Sequence, residues 1–147
     1  SFNSTYENID EADIQGAETF VQLRPLEALA IRLDYTYTDA EDDQTGEQLL
    51  RRPKHKLDLD VELRPTSRVS VNLAVNYVAD YKDISRETSG IINGDDYAVL
   101  DVAADYQFNR RWRLFGRVEN ATDEHYEPAD GFQAPDRGLY AGAELKL

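Results

Sequence analysis

Cysteine is absent from this sequence, and so is methionine. Without cysteine there is no disulfide, no thiolate metal ligand and no thiol nucleophile. With no methionine even at position 1, the chain is expected to be a processed product or a piece of something longer. Basic residues are scarce. Sixteen Lys and Arg stand against 29 Asp and Glu, a formal net charge of −13. That balance argues against a nucleic-acid partner, because phosphate binding needs clustered cations. Long apolar runs are missing too. None approaches the roughly 18 residues of a membrane-spanning helix, and no signal peptide is visible. Only 41% of the 147 residues are hydrophobic. Water-soluble proteins have such a composition, but transmembrane β-barrels share it, since only alternate residues of their strands face lipid.

What the sequence does have is a period of two. Leu29, Ile31, Leu33, Tyr35 and Tyr37 alternate with Ala30, Arg32, Asp34 and Thr36. Leu57, Leu59, Val61 and Leu63 alternate with Lys56, Asp58, Asp60 and Glu62, and the pattern recurs through Val69–Tyr77, Ala98–Phe108, Trp112–Val118 and Leu139–Leu147. Strict alternation marks strands with one apolar and one polar face. No stretch keeps an apolar stripe at helical spacing, so the class is all-β and antiparallel. Seven strands are expected, at roughly 14–24, 27–39, 54–64, 67–80, 96–108, 111–121 and 137–147.

The connections alternate in length. Arg24-Pro25-Leu26-Glu27, Arg64-Pro65-Thr66-Ser67 and Phe108-Asn109-Arg110-Arg111 are short. Segments 39–54, 80–96 and 122–136 are long, acidic and punctuated by Gly and Pro. Successive hairpins place all tight turns on one rim and all long loops on the other, the asymmetry of outer-membrane barrels. The apolar face then meets lipid and the charged face a wet lumen. In a soluble β-sandwich the same apolar face would be a core, and periodicity alone leaves both open. Aromatics gathered at strand ends (Tyr35, Tyr37, Tyr77, Tyr81, Tyr97, Tyr106, Phe108 and Trp112) favour the membrane, where such rings form interfacial girdles.

Several segments also carry a family pattern. Leu114-Phe115-Gly116-Arg117-Val118-Glu119-Asn120-Ala121-Thr122-Asp123-Glu124-His125-Tyr126 resembles the penultimate strand of TonB-dependent outer-membrane receptors, with Ala121 where the pattern has Leu. Gly131-Phe132 and Pro135-Asp136-Arg137-Gly138-Leu139-Tyr140-Ala141-Gly142 resemble the segment that follows, with Asp136 replacing a Gly. Asn8–Glu18, Asp34–Ala40 and Arg52-Pro53-Lys54-His55-Lys56 are similar to upstream segments of the same family, in the same order. Within it, the cobalamin receptor branch is most resembled, and siderophore receptors share much of the pattern. The final Leu147 departs from the usual terminal aromatic read by the barrel-assembly machinery.

The resemblance implies a single segment, residues 1–147, of a larger barrel of roughly 22 strands. Its N-terminal plug domain and TonB box lie outside the sequence. An odd count of seven strands leaves two open edges. If residues 2–9 formed an eighth strand, a small closed barrel with a structural or adhesive role, natural or engineered, would be the alternative, and a soluble β-sandwich binding module a second. The resemblance further implies a Gram-negative outer-membrane location and active transport of a scarce nutrient, cobalamin or a ferric siderophore. The partners would be membrane lipid and lipopolysaccharide, the plug and TonB complex, and the barrel-assembly machinery. Candidate ligand contacts are the aromatic and charged loop residues Tyr81, Arg86, Tyr126 and Phe132. Candidate luminal, plug-facing residues are Arg32, Asp34, Asp58, Asp60, Arg113, Arg117 and Glu119. No cofactor, metal or enzymatic activity is expected. His55 and His125, the only histidines, lie far apart in sequence, no serine sits in a nucleophile motif, and the acidic run Asp39–Glu47 misses the calcium-loop pattern at Leu50.

Overall fold

The computed structural model describes residues 11–146. Nine strands form, in chain order β1 (Ala12–Leu26), β2 (Leu29–Asp42), β3 (His55–Thr66), β4 (Val69–Ala79), β5 (Lys82–Ile84), β6 (Ile91–Asn93), β7 (Tyr97–Gln107), β8 (Trp112–Glu119) and β9 (Gly138–Leu145). Seven of them make one antiparallel sheet in the order β1-β2-β3-β4-β7-β8-β9, and β5 pairs with β6 as a separate small hairpin. No helix occurs among the described residues. β1 and β9 do not pair with each other, so among the described residues the sheet is an open part of a barrel. The eighth strand considered at residues 2–9, and the terminal Leu147, lie outside the described residues.

The register lines up the apolar positions. One row runs Leu23–Ile31–Val61–Leu73–Val102–Val118–Leu139 across all seven strands. The next row is Val21–Leu33–Leu59–Val75–Leu100. Since neighbours across a strand pair share a face, these aliphatic rows cover one side of the sheet. Nothing is layered on it: Leu73 is 38% exposed and Leu139 74%. A sandwich would bury both against a second sheet. The single-layered sheet excludes that arrangement among the described residues, and the apolar side is left facing hydrocarbon.

Aromatics close this face at both ends. Tyr35 and Tyr77 flank Leu57 near the long-loop rim, and Tyr37 stands beside His55 one row higher. Tyr106, across from Val69 and Leu114, and Trp112, across from Leu145, mark the tight-turn rim. Two of the expected girdle residues lie elsewhere. Tyr97 points to the charged side and stacks on Tyr126 at 4.2 Å between ring centroids, and Tyr81 is buried beneath the loops.

The tight turns are narrower than the sequence suggested. β1 and β3 continue through Pro25 and Pro65, leaving only Glu27-Ala28 and Ser67-Arg68 between the strands. Proline has no N–H for a ladder, so it breaks pairing without ending the strand. The register shifts at Leu23/Leu26 and Leu63/Thr66, the steps that contain the two prolines, show this. At the other rim β2 runs on to Asp42, taking in residues 39–42 that read as loop, and β5 and β6 lie inside segment 80–96.

Candidate functional site

The charged side of the sheet carries all seven luminal candidates. Arg32 grips Asp34 with two bonds, Nε to Oδ2 at 2.6 Å and Nη2 to Oδ1 at 2.8 Å. Across the ladder Arg32 faces Asp60 and Asp34 faces Asp58, which accepts a hydrogen bond from Asn76 Nδ2 at 2.8 Å. Arg113 ties three strands together: its Nη1 lies 2.7 Å from Asp105 on β7 and its Nε 2.9 Å from Glu144 on β9. Arg117 pairs with Glu119 at 2.9 Å. These pairs are solvated, and each is worth only about 0.2–1 kcal/mol. They leave the wall polar, with part of its charge paired.

Phe115 and Tyr140 also lie on this side. The guanidinium of Arg113 stands 5.3 Å from the Phe115 ring and that of Arg117 5.0 Å from the Tyr140 ring. Phe115 lies over Gly142, where a Cβ would sit 2.4 Å from the ring. The absence of a side chain at position 142 is what lets the ring lie flat across the strand pair.

At the long-loop rim the structure brings the four ligand candidates together with Asp83 and Arg51, and Asn120 stands at the base of the last loop. Segment 80–96 supplies Tyr81, Asp83 and Arg86, segment 120–137 supplies Asn120, Tyr126 and Phe132, and segment 43–54 supplies Arg51. Tyr81 is 3% exposed, and its hydroxyl donates to the Glu127 carbonyl at 2.9 Å. Its place is under the loops, with little surface left for a ligand. Burial, joined by nearby acids, pushes its phenol above the usual range. Tyr126 is half-buried against Tyr97. Arg86 and Phe132 are exposed, and the guanidinium stands 4.8 Å from the ring centroid.

Asp83 is the innermost member, 1% exposed. Its Oδ1 accepts from Arg51 Nε at 2.8 Å and from its neighbour Ile84 N at 2.8 Å, and its Oδ2 accepts from Asp130 N at 2.7 Å. Burial works against the charge, but the bonds from Asp130 N, Arg51 and Ile84 N outweigh it and hold the carboxyl below the ordinary carboxylate range. A depressed native pKa stabilises the fold above the unfolded carboxyl's value of about 4, and that contribution is lost as pH falls through the native value. A nitroxide at Glu87 is therefore expected to be as immobile at neutral pH as the loop backbone and to gain mobility only below about pH 4. Asp83→Asn should give the mobile spectrum at both pH values.

Asn120 closes β8. It is buried, with φ of 49°, a left-handed conformation that Asn tolerates better than most residues. Its side-chain amide donates to the carbonyls of Glu124 (2.8 Å) and Pro135 (3.3 Å), its Oδ1 accepts from Glu124 N (2.8 Å), and its own N–H donates to Asp101 Oδ1 (2.9 Å). The side-chain amide thus folds the last long loop, and the backbone N–H ties the residue to β7.

The remaining candidate chemistry is dispersed. His55 sits between Tyr35 and Tyr37 on the lipid side, its Nδ1 2.8 Å from the Tyr35 hydroxyl. His125 lies in the last loop beside the Asp123 carbonyl. In the acidic run, Asp42 Oδ1 accepts from Gln44 N, Thr45 N and Thr45 Oγ1, an Asx-type turn.

A family model described as TonB dependent receptor-like, beta-barrel matches residues 1–121. The chain belongs to the TonB-dependent receptor family. Its relatives include the vitamin B12 transporter BtuB of Photobacterium profundum, 29% identical over 95% of this chain and 22% of that protein. The iron-regulated outer membrane virulence protein of Vibrio cholerae is 27% identical over 94% of this chain and 22% of its own length. Among solved structures, the ferripyoverdine receptor of Pseudomonas aeruginosa superposes with a TM-score of 0.77 at 18% identity, over 91% of this chain and 19% of that one. The ferric-catecholate import receptor Fiu of E. coli does so with a TM-score of 0.77 at 20% identity, over 91% and 21%. The chain therefore spans about a fifth of the length of the relatives it matches. A TonB-dependent receptor barrel is an outer-membrane structure of Gram-negative cells, consistent with the lipid-facing rows described above.

Proposed function

We propose that this chain is the C-terminal barrel segment of a TonB-dependent active transporter that captures a scarce nutrient, cobalamin or a ferric siderophore, at the cell surface. The chain supplies barrel wall and external loops. A plug domain outside this sequence fills the lumen against Arg32, Asp34, Asp58, Asp60, Arg113, Arg117 and Glu119, and the TonB complex supplies the energy. The observation that carries the reading is the one-layered sheet in a chain of this family, with apolar rows on one side and charged pairs on the other. Plentiful solvated contacts, each weak, suit a plug that must shift when pulled. Arg86, Phe132 and the open edge of Tyr126 are the proposed ligand contacts, with Tyr81 holding the loops beneath them.

The test is uptake by a strain lacking its own receptors and carrying the full reading frame. Cyanocobalamin, ferripyoverdine and ferric enterobactin are offered in turn, with and without TonB. TonB-dependent uptake of one of them is expected. Arg86→Ala and Phe132→Ala should each weaken its binding by about tenfold, the effect of losing one anchoring contact of roughly 1–2 kcal/mol, with barrel yield unchanged. A protein that inserts correctly but imports none of the three, with or without TonB, would remove the transport reading.

A further inference from the structure

We propose that Asp83 is a positioning residue of the receptor mouth. It joins the three long loops into one unit and sets the Arg86–Phe132 pair that the ligand meets; only what that pair contacts rests on the nutrient-receptor reading. A buried carboxylate is costly unless it is fully hydrogen-bonded. Of the donors that satisfy Asp83, only Ile84 N is local. Arg51 comes from the segment after β2, 32 residues away, and Asp130 N from the segment after β8, 47 residues away. The two oxygens divide between these loops, Oδ1 to Arg51 and Oδ2 to Asp130, so the carboxylate bridges them.

From Asp130 the connection returns to segment 80–96. Asp130 Oδ2 accepts from Arg86 N at 2.7 Å, closing a ring of Asp83, Asp130 and Arg86. Gly131 follows with φ of 75°, a conformation open to glycine at no steric cost. The Arg86 stem crosses it, since a Cβ at 131 would lie 2.4 Å from Arg86 Cδ. Gly131 N donates to Glu127 Oε2 at 2.6 Å and Phe132 N to the Ala129 carbonyl at 2.9 Å, which fixes the turn that presents the Phe132 ring. On the other side Arg51 N donates to the Lys82 carbonyl at 2.7 Å, so Arg51 docks by backbone as well as by side chain.

This chain holds no cysteine, so the labelling sites are introduced into it, and any cysteine elsewhere in the receptor is first replaced by serine. In the full-length receptor, nitroxide pairs at Glu47/Glu87 and Glu87/Gln133 report the two joints, without ligand. Both wild-type pairs should show one narrow distance. Asp83→Ala should abolish the narrow peak in both pairs, and Arg51→Gln in Glu47/Glu87 only. Barrel assembly is monitored as resistance to SDS before heating. An SDS-resistant Asp83→Ala barrel that keeps either narrow peak would overturn the proposal. If Asp83→Ala does not assemble, the exposed Arg51 decides: an unchanged Glu47/Glu87 distance in Arg51→Gln would also overturn it. With cyanocobalamin, ferripyoverdine and ferric enterobactin as probes, Asp83→Ala should lose binding of whichever probe the wild type takes. A wild-type receptor that binds none of the three counts against the nutrient reading alone, since the label distances are measured without ligand.

Discussion

Replacing Leu73 by Arg is expected to cost about 2–4 kcal/mol, whereas replacing the adjacent Ala74 by Arg is expected to be neutral or mildly stabilising. Leu73 is the middle residue of the aliphatic row that crosses all seven strands, between Val61 and Val102. It has no second layer above it, so a guanidinium there must lie in hydrocarbon or drag water inward. Ala74 is its neighbour in sequence but faces the other way. Across the ladders it stands between Asp60 and Asp101. An arginine at that position meets two carboxylates in a wet environment and gains cross-strand pairs of roughly 0.2–1 kcal/mol. The measurement is the urea midpoint of the full-length receptor refolded in lipid vesicles, together with the fraction that resists SDS. Equal tolerance at both positions would contradict the assignment of the two faces.

The second large effect is expected at Asn120. Asn120→Ala removes three side-chain bonds, leaves Glu124 N and two carbonyls without their partner, and places a Cβ-bearing residue with no polar side chain at a positive φ. An unsatisfied buried group costs about 1–3 kcal/mol, and the left-handed conformation a further 1–2 kcal/mol or so for an ordinary residue. The loss falls on segment 121–137, because the three lost bonds reach Glu124 and Pro135, while the backbone bond from Asn120 N to Asp101 of β7 is kept. Amide exchange there is expected to accelerate by two or more orders of magnitude, each factor of ten corresponding to about 1.4 kcal/mol, while β2, β3 and β4 keep their protection. Asn120→Gly relieves the backbone but not the lost bonds, and should fall between wild type and Ala. Exchange equally slow in all three proteins would show that the amide does not hold the loop.

The wall was legible from the sequence and the mouth was not, for a physical reason. A strand's face is set by its neighbours two residues away, so Ile31, Leu59 and Leu73 declare their side locally. The pairing of one hairpin with the next follows from short connections. Even the misplaced turn limits have a local cause, Pro25 and Pro65, which interrupt hydrogen bonding without stopping an extended chain. The external cluster depends instead on residues 32 and 47 positions apart meeting at one carboxylate. Asp83 stands among Asp80, Glu87, Asp95 and Asp96, and nothing in its immediate sequence distinguishes it from an exposed acid. Aromatic and charged loop residues led to Tyr81, Arg86, Tyr126 and Phe132 as a group. Their division into a buried support, a half-buried stack and an exposed pair required the three-dimensional arrangement. Asn120 had one local signal, an Asn directly after a strand, where a left-handed residue commonly ends the extended run.

The length of the first hairpin has its own consequence. β1 has 15 residues, and its ladder with β2 holds from Leu26/Leu29 to Ala12/Asp42. At about 3.4 Å per residue and a tilt near 45°, β1 rises roughly 35 Å, about 10 Å more than the apolar band of such a wall. The surplus lies above Tyr37, where the outward positions change to Asp39 and Glu41 opposite Gln15 and Asp13. On that side the opening is bounded by a stiff parapet standing clear of the acyl chains. The height of that rim is set by the ladder itself, residue by residue, and not by any flexible loop.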